Sequence, residues 1–242
     1  MYTDKVFTKE NLDVCLRQLA KEYRRLNGTA LPAELILIGG AAVLASYGFR
    51  DMTYDVDAII QASSSMKDAV TRVGDTLGLP NGWMNSDFTK TKSYSPKLSE
   101  FSRYYRTYSN VLRIRIVSGE YLVAMKLMSG RTYKNDISDI VGILREEKEK
   151  GTPLTYEVID KAVCTLYGDW TKMPPESQIL IKEILKEDNL EELYEKYRST
   201  EKETKSTLIA FEKDYPKVLN EDNLDDVIAS LKKKKTRSDR ER

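Results

Sequence analysis

Leu35-Ile-Leu-Ile-Gly39-Gly40-Ala-Ala42, followed by Gly48-Phe-Arg50-Asp-Met-Thr53-Tyr-Asp55-Val-Asp57, decides how this chain reads. An apolar run bounded by Pro32 and a double glycine predicts a short buried strand over residues 34–38. Gly39-Gly40 then turns the chain into an alanine-rich helix over residues 41–47, stopped by Gly48. Glycine lets backbone N–H groups come close to a phosphate, and a helix N-terminus adds partial positive charge there. Tyr54 to Ile60 alternates and then turns apolar, which predicts a second strand carrying both Asp55 and Asp57. On a strand their carboxylates share a face while Val56 turns into the core. Two like charges so placed repel unless a divalent cation lies between them, and an all-oxygen ligand set suits Mg²⁺ or Mn²⁺.

Moving outward, residues 8–26 read as a helix capped by Thr8, with Leu12, Cys15, Leu16, Leu19, Tyr23 and Leu26 on one face. Residues 65–77 are helical in pattern, and 78–97 read as a loop. A third strand is expected over Val111–Val117, and Ser118 is expected to cap a helix reaching about Ser129. The approach to that strand, Phe101-Ser-Arg103-Tyr104-Tyr105-Arg106-Thr-Tyr108, interleaves cations with aromatics. It suits either a base-stacking surface or a half-buried sheet edge. Everything beyond Ile137 has helical period, broken near Gly151-Thr-Pro153, Met173-Pro-Pro175 and Pro216. The fold class is therefore α/β (α+β), a small mixed sheet flanked by helices and followed by a helical region. The expected units are residues 1–118, a helical part over 119–231, and a basic tail over 232–242.

Composition removes several chemistries. The 242 residues hold 39 Lys and Arg against 38 Asp and Glu, no histidine and two cysteines. Histidine-based triads, histidine bases and Cys/His zinc sites are therefore excluded. Cys15 and Cys164 sit among apolar neighbours in helical segments, so buried thiols are expected at both. The last eleven residues carry seven positive and two negative side chains, which suits a solvated end or an RNA-binding one. The opening MYTDKVFTKENLD is polar and mixed in charge, unlike a secretory signal, and no apolar run approaches a membrane span. A cytoplasmic location and no membrane partner are the expectation.

The run Gly-Gly-x-Ala-x(7)-Arg-x-x-Thr-x-Asp-h-Asp resembles the first motif of the nucleotidyltransferase superfamily of the DNA polymerase beta type. The variant is most similar to bacterial nucleotidyltransferase-like proteins and to the AbiEii and MenT toxins of toxin–antitoxin systems. A second stretch, Glu120-Tyr-Leu-Val-Ala-Met-Lys126-Leu-Met-Ser-Gly-Arg131 with Asn135-Asp136-Ile-Ser-Asp139, is similar to those families' lysine-bearing helix and the acidic helix after it. The resemblance spans roughly residues 33–145. It implies transfer of a nucleoside monophosphate from an NTP to an acceptor hydroxyl of RNA or tRNA, a protein, or a small molecule such as an aminoglycoside. An antitoxin protein is an implied partner, and an inactive nucleotide- or RNA-binding module of the same fold is the alternative. By resemblance, Asp55 and Asp57 bind the metal and Gly39 and Gly40 hold the triphosphate, with Arg50 and Thr53 in the same motif. Lys126 contacts phosphate as the third catalytic residue, and Asp136 or Asp139 completes the nucleotide pocket. Arg113 or Arg115 is a candidate to neutralise the leaving group. The chain departs from the superfamily pattern in two places. Gly40 and Ala41 replace the usual hydroxyl after the first glycine, and the strand over 111–117 offers arginines where a third carboxylate is usual, leaving Glu100 or Glu120 as substitutes.

Overall fold

The computed structural model describes residues 6–131, 134–219, 223–224 and 226–231; the basic tail over 232–242 lies outside the described residues. Helix α1 (Lys9–Asn27) starts at a reciprocal cap. The Thr8 hydroxyl accepts from the Asn11 N–H, and the Asn11 side chain accepts from the Thr8 N–H. Leu12, Cys15, Leu16, Leu19, Ala20 and Tyr23 recur at helical spacing and are buried, the usual origin of an amphipathic helix's stability.

Strand β1 (Ala33–Leu37) leads through Ile38 into α2 (Gly39–Ser46), and β2 (Val56–Gln61) and α3 (Ser65–Leu77) follow. Two further strands, β3 (Met84–Asn85) and β4 (Ser102–Tyr108), precede β5 (Leu112–Val117). The sheet is mixed, in the order β3-β2-β1-β5-β4. β1 runs antiparallel to β2 and parallel to β5, β2 runs parallel to β3, and β4 runs antiparallel to β5.

Three strands were expected and five are present among the described residues. β3 escapes because two residues inside a Gly/Pro loop carry no periodic signal. β4 is the half-buried sheet edge that the Arg/Tyr run allowed, with a pattern too polar to read as a strand. Asp55 also departs from expectation, since β2 begins one residue after it. Thr53 pairs with Phe7 by two backbone hydrogen bonds of 2.7 and 2.9 Å, and the first sheet bond belongs to Val56, whose N–H donates to Trp83 O at 2.8 Å. The chain is thus held away from the ladder until Val56.

Register assigns the sheet's two faces. Glu34 stands beside Gln61 and Arg113, and Ile36 beside Ile59 and Arg115. Paired residues share a face and alternate residues repeat it, so Asp57, Glu34, Arg113 and Arg115 lie on one side. Leu35, Leu37, Ile114 and Ile116 lie on the other and are buried. Helix α1 sits on that second side, where Asp13 bonds Arg106 at 2.7 Å and Tyr108 at 2.6 Å.

After Ser118 come α4 (Gly119–Ser129), α5 (Asp136–Glu149), α6 (Tyr156–Tyr167), α7 (Pro175–Ile184) and α8 (Leu190–Asp214). Ser118 occupies the cap position of α4 but makes no side-chain cap bond. α4 is buried from Tyr121 through Met128 and packs against α5, α6 and α7, while α8 lies on α5. Cys15 is buried in α1, whereas Cys164 is exposed on α6, a correction to the expected burial of both. It lies off the α6 face formed by Ile159, Ala162, Val163, Leu166 and Tyr167. Among the described residues no helix is long and apolar enough to cross a membrane.

Candidate functional site

The double glycine at the start of α2 has a steric cause on both sides. Gly39 has φ +55°, which side-chain-bearing residues rarely adopt, and a Cβ there would stand 3.2 Å from Asp57 Oδ2. A Cβ on Gly40 would collide with the Thr53 hydroxyl and come within 3.0 Å of Arg50 Nη2. The turn therefore sits directly against Asp57, Thr53 and Arg50. No side chain caps α2, so the first-turn amides of this helix are left to an outside acceptor. Thr53 is buried, and its hydroxyl occupies the space that a serine at position 40 would fill. The hydroxyl missing from the glycine turn is thus present, delivered from the loop before β2.

Asp57 is half-buried and Asp55 exposed. No described residue donates a hydrogen bond or forms an ion pair with either carboxylate. Burial, then the neighbouring Asp55 charge, pushes the Asp57 carboxyl up to about 6, against the opposing influence of Lys134 and Arg131. This is the signature of an acid pair short of positive charge. No third His, Cys, Asp or Glu joins the pair to form a metal-binding group among the described residues, so neither Glu100 nor Glu120 supplies one. The residue in register with Asp57 on the next strand is an amide, Asn85. Its Oδ1 accepts from the Asp87 N–H at 2.8 Å. Asp87 adds negative potential at Asp57 but is paired with Lys90 at 2.9 Å on the surface. Neither Asn85 nor Asp87 stood out in the sequence, because β3 itself was hidden in a loop.

Behind the glycine turn lies a buried ionic chain. Arg50 bonds Asp139 and also donates to Met52 O at 3.0 Å. Lys126 Nζ lies 2.7 Å from Asp139 and 2.9 Å from Asp136. Asp136 also accepts from Ser129 at 2.9 Å and Arg131 at 3.0 Å. Burial works against the Lys126 charge, but Asp136 and Asp139 outweigh it and raise its pKa. Burial likewise pushes Asp136 up, yet Lys126, Arg131 and the bonds from Lys126 and Ser129 hold its carboxyl well below the ordinary range. Lys126 is therefore not at the surface of its helix. Both of its ion pairs are to carboxylates, in the regime where a buried charge is tolerated because it is paired and hydrogen-bonded. Lys134 reaches solvent, but lost hydration and the Arg131 charge lower its pKa.

Arg113 and Arg115 both turn to Glu34, at 3.8 and 3.3 Å. They share Asp57's sheet face but stand two strands away from it. The structure thus joins Gly39, Gly40, Arg50, Thr53 and Asp57 directly, and Asp136, Asp139 and Lys126 through Arg50. Asp55 stands at the mouth, coupled to Asp57 by charge.

Helix α8, which the sequence marked only by its helical period, touches both walls of this site. Tyr194 OH donates to Phe49 O at 2.9 Å, Arg198 pairs with Asp51 at 2.6 Å, and Lys205 bonds Tyr54 OH at 3.0 Å. From the same helix, buried Glu201 accepts the Ile137 and Ser138 N–H groups at 2.9 and 3.3 Å. It thereby closes the N-terminus of α5, which carries Asp136 and Asp139.

Residues 15–145, just over half of the chain, match a family model described as a nucleotidyltransferase of unknown function (DUF6036). Every site residue from Gly39 to Asp139 falls inside the match, and α8 falls outside it. No curated protein and no solved structure matches the chain.

Proposed function

From the premise that the chain belongs to this nucleotidyltransferase family, we propose that it transfers a nucleoside monophosphate from an NTP to an acceptor hydroxyl, in a metal-dependent reaction. The observation that carries the reading is the acid pair Asp55/Asp57, without a partner among the described residues, set against the Gly39-Gly40 end of α2, which no side chain caps. One half of that arrangement calls for a cation and the other for an anion. The donor set fits Mg²⁺ or Mn²⁺: carboxylate oxygens alone, few in number, leaving positions for water and substrate phosphates. When bound, the ion would stabilise negative charge at the reacting phosphoryl group.

The chain's own residues would do the rest. Gly39 and Gly40 offer backbone N–H groups to the triphosphate, and the Thr53 hydroxyl adds a donor at the same turn. Arg50, beneath Gly40, brings the nearest guanidinium and is held in place by Asp139. Lys126 is a positioning residue in this scheme: it neutralises Asp136 and Asp139 and so fixes Arg50. Arg131 and Lys134 add positive charge on the side facing Asp57. The acceptor oxygen forms a bond to the α-phosphorus as the bond to pyrophosphate breaks, and the acceptor proton passes to solvent.

The test is incubation of the purified protein with labelled NTPs, Mg²⁺ or Mn²⁺ and candidate acceptors. Labelled acceptor should accumulate, and Asp57→Asn should reduce it by roughly 100-fold or more. No label on any acceptor, with NTP binding indifferent to Asp57→Asn, would refute the proposal. The amide at position 85 favours a second reading, a nucleotide-binding module without turnover, which predicts Mg²⁺-dependent NTP binding and no product. The toxin role rests on the AbiEii/MenT resemblance. It predicts growth arrest on expression that Asp57→Ala relieves; equal arrest by both proteins would remove it.

A further inference from the structure

The face of the sheet that carries Asp57 continues into a second feature. A groove of about 560 Å³ is lined by Glu34, Ser102, Tyr104, Thr107, Arg113 and Arg115. All six project from the same side: Tyr104 pairs with Arg115, Thr107 with Arg113 and Ser102 with Val117 across β4 and β5. By register Arg115 lies two strand spacings and two residues of rise from Asp57, roughly 12 Å, while Arg113, two residues further along, and Tyr104, one strand further out, each stand at roughly 16 Å. That is too far for groups bound at the glycine turn, and it lies where the body of a polymeric acceptor would run.

The chemistry of the groove is specific. Tyr104 is 63% exposed on the edge strand β4. The Arg113 side chain is 64% exposed, and its ion pair to Glu34 is long at 3.8 Å. Arg115 is anchored by Ser102 O at 2.6 Å and Glu34 at 3.3 Å. An exposed ring beside two guanidiniums offers a base platform and phosphate contacts. It disfavours a polycationic small molecule, which the arginines would repel.

Resting on the nucleotidyl-transfer reading, we propose that the acceptor is the end of a single-stranded polynucleotide. Its terminal hydroxyl lies at Asp57, and the preceding residues cross β1 to place a phosphate on Arg113 and a base on Tyr104. Glu34 is a built-in competitor of that phosphate, because its carboxylate holds both guanidiniums.

The experiment is fluorescence anisotropy of labelled ribo- and deoxyribo-oligonucleotides with the full chain and no NTP, so that no transfer occurs. Oligonucleotide binding by the unaltered chain is the reference. Tyr104→Ala should weaken it about tenfold, and Arg113→Ser should weaken it and lower the salt slope by about 1. Glu34→Gln should tighten it, a direction that misfolding does not produce. The basic tail is present in every variant, so differences among them read the groove alone. The ribo and deoxyribo arms tell which sugar the groove takes. Binding indifferent to Tyr104, Arg113 and Glu34, or no binding by either oligonucleotide, overturns the proposal and leaves a protein or small-molecule acceptor. Groove-dependent binding without transfer by the parent protein would sink the catalytic reading instead, and the two failures are thereby distinct.

Discussion

Gly40 and Thr53 occupy one space between them. A side chain at position 40 meets the Thr53 hydroxyl, so Gly40→Ser should overpack the turn and cost about 1–3 kcal/mol of stability. Adding Thr53→Ala should recover most of that loss and, by returning a hydroxyl to the turn, NTP binding as well. Chemical denaturation and NTP titration of the single and double variants check this; a double variant no better than Gly40→Ser would show that the hydroxyls are not interchangeable. Asp57 supplies a pH test. Its carboxyl is raised from near 3.8 to about 6, so between those values the folded protein holds a proton that the unfolded chain has released. Its share of stability without metal should be complete below about 3.8 and be lost as pH rises through about 6. Melting curves in a chelator should show the fall, Asp57→Asn should flatten it, and Mg²⁺ should reverse it above pH 7.

Helices α4, α5 and α8 hold the site's far wall by charge as much as by apolar packing. Lys126→Met leaves Asp136 and Asp139 buried with less compensation, and breaking such a pair costs about 3–5 kcal/mol. Equilibrium unfolding should show a loss of that size, and a loss below 1 kcal/mol would mean the cluster relaxes around the change. Glu201 is the pin between α8 and α5. Burial pushes its carboxyl up to about 7, against the bonds from Ser138 and Ile137 that favour its charged form. The folded state therefore retains this proton from near 4.5 up to about 7. Its share of stability is complete below about 4.5 and is lost as pH rises through about 7. Glu201→Gln, which keeps the shape and cannot ionise, should remove that part of the pH dependence. Hydrogen exchange at the start of α5 reports it locally, and an unchanged profile in the variant would show that Glu201 does not titrate there.

Across the chain, the proposed nucleotide and acceptor sites lie on different strands of one sheet, and ligand-linked stability can separate them. NTP with Mg²⁺ at about 100 times its dissociation constant should stabilise the fold by about 2.7 kcal/mol. Asp57→Ala should abolish the shift and Tyr104→Ala should leave it unchanged. A thermal shift that survives Asp57→Ala would place the nucleotide elsewhere. The wall-to-wall contacts of α8, at Phe49, Asp51, Tyr54 and the α5 N-terminus, extend the site's support beyond the residues of the family match.

Much of this was legible in residue order, and the boundary has a physical basis. Helices declare themselves through a 3.6-residue period and their caps, which are encoded within a few turns, so α1, α3 and α4 fall close to their expected spans. The Gly39-Gly40 turn and the Asp55/Asp57 pair are equally local, because one strand, one turn and one short helix bring them together. Pairing across the chain is another matter. That Asn85 stands beside Asp57, that Thr53 fills the space over Gly40, and that Lys126 turns to Asp136 and Asp139 depend on where distant segments come to rest. The open sheet face is of the same kind: Glu34, Tyr104 and Arg113 meet only because β1, β5 and β4 pair in one register, and a slip of one residue would turn each of them to the opposite side. Residue order by itself determined the capped helices, strands β1, β2 and β5, and the acid pair. Tertiary packing alone decided which charges are buried, which are paired, and which face of the sheet carries the open groove.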